Sequence, residues 1–395
     1  MANTILTPTA VTRKALAILH QKLNFVGSIN RQYDDSFAKT GAKIGDSLKI
    51  RLPNQYTVRT GASLSTQDTT ESSTTLQIGT QKGVDITFTS NELTLSLDDF
   101  ADRILEPAMA VLAATIESDA LTMALDVYQA VNNVGSAITL NKALTARKAL
   151  VDALAPGNDR CLILNTQDNL DLVDGLKGLF QDSSEIAKQY REGMVGRTAG
   201  FGTIYENTLL ASQTTGTAAS STGYLSNGAT QSGATITVDT GSTTFKKGDV
   251  ITFAGVNRVH PETRADTGVL QQFVITADAG ASATSLSISP AVVATGGTQN
   301  VSNTIADNSA ITKVGGASAV YKPSLAFHKD AFTFATADLI MPNGVDFAAR
   351  EVYDGISMRI VRQYAISTDT MPCRLDVLYG FKTIRAQLAA RILSN

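Results

Sequence analysis

"FKKGDVITFAGVN", residues 245–257, alternates apolar and polar side chains and then stops at a glycine. A period of two reads as a half-buried β-strand. Similar short runs surround it: "ATITVD" (234–239), "LQQFVITAD" (270–278), "TSLSISPAVV" (284–293) and "AITKVG" (310–315), with Gly, Asp and Asn between them. Short strands at this spacing predict a small β-barrel or sandwich. Just before them, Asn207 to Val238 contains no Asp, Glu, Lys or Arg and is dominated by Ser, Thr, Gly and Ala. That composition suits a linker or short exposed strands.

On both sides the pattern changes. Residues 142–212 read as helix ("KALTARKALVDAL"), turn at Pro156–Gly157–Asn158, buried strand ("RCLILN"), helix ("LDLVDGLKGLF"), then loop and strand. After Gly316, "AFHKDAFTFATADLIMP" predicts a short helix and a strand, and "ISMRIVRQYAI" and "PCRLDVLYGFKTI" predict strands. The β unit at 223–316 therefore interrupts a domain that begins before it and finishes after it.

Further toward the N-terminus, residues 96–131 predict a long helix. Ser96 and Asp99 fit a capping signature, and Phe100, Ile104, Ala108, Leu112 and Ile116 follow on one face, then Leu121, Leu125 and Tyr128. At about 1.5 Å per residue it would be about 50 Å long, with a kink at Pro107 near Leu105–Glu106. Residues 43–90 predict two strands joined by the polar tip "RTGASLSTQDTTESS", an extended β-hairpin expected to rest on a neighbour. Residues 9–24 predict an amphipathic arm with Val11, Ala15, Ile18 and Leu19 on one face, expected to dock on something else.

Composition bounds the function. A chain of 395 residues implies two or three domains. Net charge is −3, so the chain lacks the basic surface that sequence-independent DNA binding requires. There is no Trp, aromatics are 6%, and they do not interleave with basic residues as in single-strand binders. Cys161 and Cys373 make no disulfide framework and read as buried free thiols of a reducing compartment. No signal peptide is expected, and no apolar run approaches the roughly 20 residues of a transmembrane helix.

A search for catalytic chemistry finds none. His20, His260 and His328 are far apart and outside metal-ligand spacings. "GMVGRTAGFG" lacks the Gly-Lys-Ser/Thr of a phosphate-binding loop and reads as tight turns. The acidic pairs Asp34–Asp35 and Asp98–Asp99 read as a solvated loop and a helix first turn.

Taken in order, these elements resemble a tailed-bacteriophage major capsid (coat) protein, of the podovirus coat-protein subfamily with an inserted β-barrel domain. The resemblance covers nearly the whole chain and is carried by "GRTAGFGTIYEN" (196–207), "FKKGDVITFAGV" (245–256), "LAFHKDAFTFATADLIMP" (325–342) and "GISMRIVRQYAISTDTMPCRLDVLYGFKTIRAQLAARI" (355–392). It implies an α+β fold, with an N-terminal arm (1–42), an extended hairpin loop (43–90) and a peripheral domain with the spine helix (91–140). An axial domain would be split into 141–222 and 317–395, the latter returning to the peripheral domain, around the inserted barrel at 223–316. It implies no catalytic site, no cofactor and no metal. The function implied is self-assembly into hexamers and pentamers of an icosahedral shell around double-stranded DNA, without specific DNA binding or a membrane. Scaffolding and portal proteins, with room for a decoration protein, would be partners, and assembly would take place in the host bacterial cytoplasm. Candidate contacts between subunits are Arg51, Tyr56, Arg59, Leu64, Arg359 and Arg362. Scattered arginines in "TVRTGASL" and "RIVRQY" read as salt bridges at a subunit interface or as solvated faces, in preference to the basic stripe of a DNA binder. An encapsulin-like compartment or another phage structural protein is the alternative, and an enzyme with a β-rich binding module is a remote one.

Overall fold

The computed structural model describes residues 12, 15–19, 23–33, 47–59, 61–64, 66–67, 71–89, 106–176, 199–353 and 355–394. The expected helix start at 96–105, the kink at Leu105–Glu106, both acidic pairs and His20 lie outside the described residues. The chain divides into two compact units: Met1–Arg51, Ser73–Leu121 and Phe332–Lys382 form the first, and Leu52–Ser72, Thr122–Ala331 and Thr383–Asn395 the second.

The first unit is organised by a six-stranded sheet. Asn30–Tyr33, Phe332–Ala337, Thr370–Thr383, Ile356–Arg362 and Phe347–Tyr353 lie side by side in that order, and Thr80–Thr89 also pairs with Thr370–Thr383. The hairpin is therefore shorter than expected. Ser47–Arg51 pairs antiparallel with Ser73–Gln77, while the strand carrying Val84 and Ile86 leaves it to join the sheet. Gly83 and Gly380 make this packing possible. A Cβ at Gly83 would stand 2.4 Å from Leu375 O, and one at Gly380 2.2 Å from Gln77 O. The hairpin base rests on its own subunit, because Leu76 and Ile78, flanked by Leu48 and Ile50, form a core with Ala335, Ala337, Leu339 and Leu378.

The helix Glu106–Leu121, apolar on most of its faces, buries Met109, Leu112, Ala113, Ile116 and Ala120 along one i, i+3, i+4, i+7 stripe and leaves Val111 exposed. It tightens into a 3₁₀ turn at Thr122–Asp126 rather than running to 131, because Ala130–Asn132 is claimed by a sheet. By length and composition Glu106–Asp126 is apolar enough to cross a membrane, contrary to the sequence expectation, but half of that stretch is buried inside the protein. Its Glu117 carboxylate accepts hydrogen bonds from the backbone N–H groups of Phe25 and Val26. The arm also differs from expectation. Ala15, Leu16 and Leu19 are fully buried within the chain itself, and the turn Phe25–Ser28 follows with Phe25 edge-on to Phe332 at 5.5 Å between ring centres.

The second unit holds a five-stranded sheet in the order Ala130–Asn132, Ala389–Leu393, Ser324–His328, Arg160–Leu164 and Thr203–Glu206. Arg160–Leu164 is buried throughout, as its continuous apolar run predicts. The helix Leu140–Asp152 buries Ala143, Ala146 and Leu150, and Thr166–Leu176 follows the strand. Between these elements sits a closed barrel in the order Gly233–Asp239, Ser285–Val292, Asp266–Ile275, Val250–Val259, Ala310–Lys313 and Ser221–Ser226. Its first strand lies within the uncharged tract. The signature stretch is divided: Phe245 plugs the barrel from a loop, Gly248 turns the chain at φ +94°, and the strand starts at Val250. Alternate residues Ile236 and Val238, Ile251 and Phe253, Phe273 and Ile275, and Leu286 and Ile288 fill the interior. Tyr224 joins them, its hydroxyl donating to Thr243 O at 2.7 Å.

The chain enters and leaves the barrel through a two-stranded ribbon of Gln213–Thr214 and Val320–Tyr321. Arg391, fully buried on the strand Ala389–Leu393, reaches this root. Its guanidinium donates to Gln213 Oε1 at 2.8 Å and Gly248 O at 2.9 Å. Burial lowers its pKa to about 10, opposed by the nearby Asp249 and Asp126 carboxylates.

Candidate assembly surfaces

Surfaces that join subunits expose apolar area that only a neighbour covers. The described residues between 52 and 72, which connect the two hairpin strands, have this character. Gly61 adopts φ +95°, a conformation open chiefly to glycine. Arg59 curls back to donate to Gly61 O and, at 3.1 Å, to Ser63 O. Across the loop, Gln67 Oε1 accepts from Thr57 N at 2.8 Å and its Nε2 donates to Thr57 O at 2.5 Å. This polar scaffold holds the tip without an apolar core, so Val58 and Leu64 stand 94% and 82% exposed, with Tyr56 half exposed. Of the residues singled out in the sequence, Tyr56, Arg59 and Leu64 thus share one tip, with Arg51 on an exposed face of the strand leading into it. Arg59 serves the shape of the loop.

Arg359 and Arg362 are engaged within the first unit. Arg359 ion-pairs with Asp376 at 2.7 Å and donates to Ile340 O at 2.6 Å, and Arg374 adds a second ion pair to the same buried carboxylate at 2.8 Å. Arg362 lies 4.9 Å over the Phe347 ring. Sequence reasoning missed Val58, Ile340 and Ile366, all strongly exposed. The available signal was a lone apolar residue in a polar stretch without periodicity, as in "YTVRTG".

Titratable groups in the interior are tuned by packing. Burial pushes the Cys373 thiol up to about 11, and both cysteines are buried thiols outside any disulfide. Burial raises the pKa of Tyr379, reinforced by its hydrogen bond of 2.5 Å to Asp119. Desolvation lowers the pKa of His328, whose Nδ1 accepts from Asp330 N at 3.2 Å. Among the described residues no group of three or more His, Cys, Asp or Glu side chains is placed to hold a metal ion.

An α+β subunit of two units, with a closed barrel entered through a ribbon and an apolar-tipped hairpin, has the makings of a viral coat protein. Residues 30–391 match the family model described as "P22 coat protein - gene protein 5", and the chain belongs to the P22 coat protein family. It is a major capsid protein of a tailed phage and assembles with copies of itself into a shell. Among solved structures it is similar to a chain of Mycobacterium phage Che8 at 14% identity, covering 94% of this chain and 91% of that one with a TM-score of 0.48. The mature capsid of bacteriophage PhiM1 is similar at 9% identity, over 94% of this chain and 87% of that one, TM-score 0.46. The CUS-3 coat protein I-domain is 27% identical over 23% of this chain and 95% of its own length, TM-score 0.19. No curated protein matches.

Proposed function

We propose that this subunit is purely architectural: it forms hexamers and pentamers of an icosahedral shell around double-stranded DNA, with no catalysis and no specific grip on the DNA. The domain division keeps the arm to 42, the peripheral domain at 91–140 and axial parts on either side of the insert, with the hairpin narrowed to Ser47–Gln77 and the inserted domain widened to take in the barrel strand at Ser221–Ser226. Assembly takes place in the host bacterial cytoplasm with scaffolding and portal proteins, and a decoration protein has room to join. A net charge of −3 suits a wall that confines DNA without adhering to it.

The observation that carries this reading is the hairpin tip, where Tyr56, Val58 and Leu64 face solvent on a loop braced by Arg59 and Gln67. Contacts that are weak singly become strong when a closed shell repeats them. Arg51 precedes this tip on an exposed strand position, while Arg359 and Arg362 are engaged with Asp376, Ile340 and Phe347 of their own unit. Deleting Gly61–Ser73 should leave a soluble, folded subunit that forms no shells in negative-stain micrographs when scaffolding protein is supplied. Normal shells from this variant would remove the tip from the interface.

A further inference from the structure

The five-stranded sheet ends on Ala130–Asn132. An edge strand presents unpaired N–H and C=O groups that recruit other strands. Here the neighbouring strand Ala389–Leu393 uses Gln129 O, which accepts from Arg391 N at 2.8 Å, and Asn133 N, which donates to Leu393 O at 3.1 Å. Alternation along the strand then turns the N–H and C=O of both Ala130 and Asn132 away from the sheet.

Side chains take three of these four outward groups. Gln272, from the barrel strand Asp266–Ile275, accepts from Ala130 N through Oε1 at 2.7 Å and donates from Nε2 to Ala130 O at 2.9 Å. A carboxamide carries the same donor and acceptor as a peptide group, so Gln272 occupies the place of one residue of a further strand. Two residues along, Lys142 Nζ donates to Asn132 O at 2.6 Å. An incoming strand would have to displace both side chains and desolvate the ammonium.

We propose that Gln272, together with Lys142, closes this sheet edge against strand addition from a second copy of the chain. A shell-forming subunit meets many copies of itself at high local concentration, and an open edge is complementary to any extended segment, including its own. Closing it reserves self-association for the surfaces that build the shell. The barrel thereby protects the sheet that carries it.

The test uses the full chain with Gln272→Ala, Gln272→Glu and Lys142→Met, read by amide exchange at Ala130 and by sedimentation velocity across a concentration series. In Gln272→Ala the Ala130 amide should exchange about five- to tenfold faster, the effect of losing one hydrogen bond, and sedimentation should show new concentration-dependent oligomers that bind thioflavin T. Gln272→Glu keeps the acceptor but loses the donor and should fall between Gln272→Ala and the parent. Unchanged exchange at the core amides of Ile251 and Phe253 shows that the barrel remains folded. Should Gln272→Ala unfold it, Lys142→Met, which bares Asn132 O without touching the barrel, decides by the same association readout. Unchanged Ala130 exchange, or faster exchange with no new association, overturns the proposal.

Discussion

The barrel and the hairpin tip lie in the same unit and handle apolar residues in opposite ways. The barrel turns Ile251, Phe253, Phe273 and Ile275 inward until they are fully buried. The tip turns Val58 and Leu64 outward and holds its shape with hydrogen bonds from Arg59 and Gln67. The first arrangement is complete within one chain. The second leaves its apolar side chains uncovered within the chain. On the proposal that a neighbouring subunit covers them, stability and assembly should respond to different substitutions.

The sharpest way to break this contrast is to cut the barrel out. A fragment of residues 213–321, including both ribbon strands, should melt in one cooperative transition followed by circular dichroism, because the barrel has its own core. A broad, featureless melt would make the barrel as dependent as the tip. Next in size is Phe253→Ala in the full chain. Emptying a fully buried aromatic site that stacks edge-on to Phe273 should cost about 3–5 kcal/mol in denaturant unfolding. Smaller in stability but large in assembly is the pair Val58→Ser and Leu64→Ser. Its unfolding midpoint should move by no more than about 0.5 kcal/mol, while shell yield measured by light scattering falls. A matching loss of stability would place these side chains in a core after all.

The smallest effect concerns pH. Burial depresses the pKa of His328 in the folded state, partly offset by Asp330 and Asp159 and aided by Arg160 and Arg385. The unfolded chain therefore binds the proton more readily, and stability falls as pH drops from about 6.5 toward the lower folded value. Protonation also removes the Nδ1 lone pair that accepts from Asp330 N. His328→Gln should flatten this part of the stability profile, and an unchanged slope would assign the acid sensitivity elsewhere.

Much of the architecture was legible in the sequence because period-two and period-three-to-four patterns survive wherever an element has one wet face. The helix at Leu140–Asp152 and the barrel strands carry such patterns, while the fully buried strand Arg160–Leu164 was legible as a continuous apolar run instead. The limits of the hairpin were not legible. Val84 and Ile86 alternate as a returning hairpin strand would, but their partner is Thr370–Thr383, nearly three hundred residues away, and local spacing carries no record of that pairing. The C-terminal limit of the long helix was missed for the same reason: its last expected turn yields to a parallel partner at Ala389–Leu393. Of the candidate contacts, Tyr56 and Leu64 were visible as apolar residues in a polar tract. The engagement of Arg359 with Asp376 was hidden, since an arginine in a strand reads the same whether its partner lies in the same chain or in another.

The ribbon of Gln213–Thr214 and Val320–Tyr321 has a practical corollary. It brings the two ends of the insert side by side, so the rest of the subunit registers only a short gap where a hundred residues are spliced in. A foreign module with adjacent termini could be grafted there to display cargo on every copy in the shell. Such a graft would strip Arg391 of Gln213 and Gly248, and Ala130 of Gln272. A workable display scaffold would therefore need a smaller, uncharged residue at 391 and a new cover over Ala130 designed in the same step.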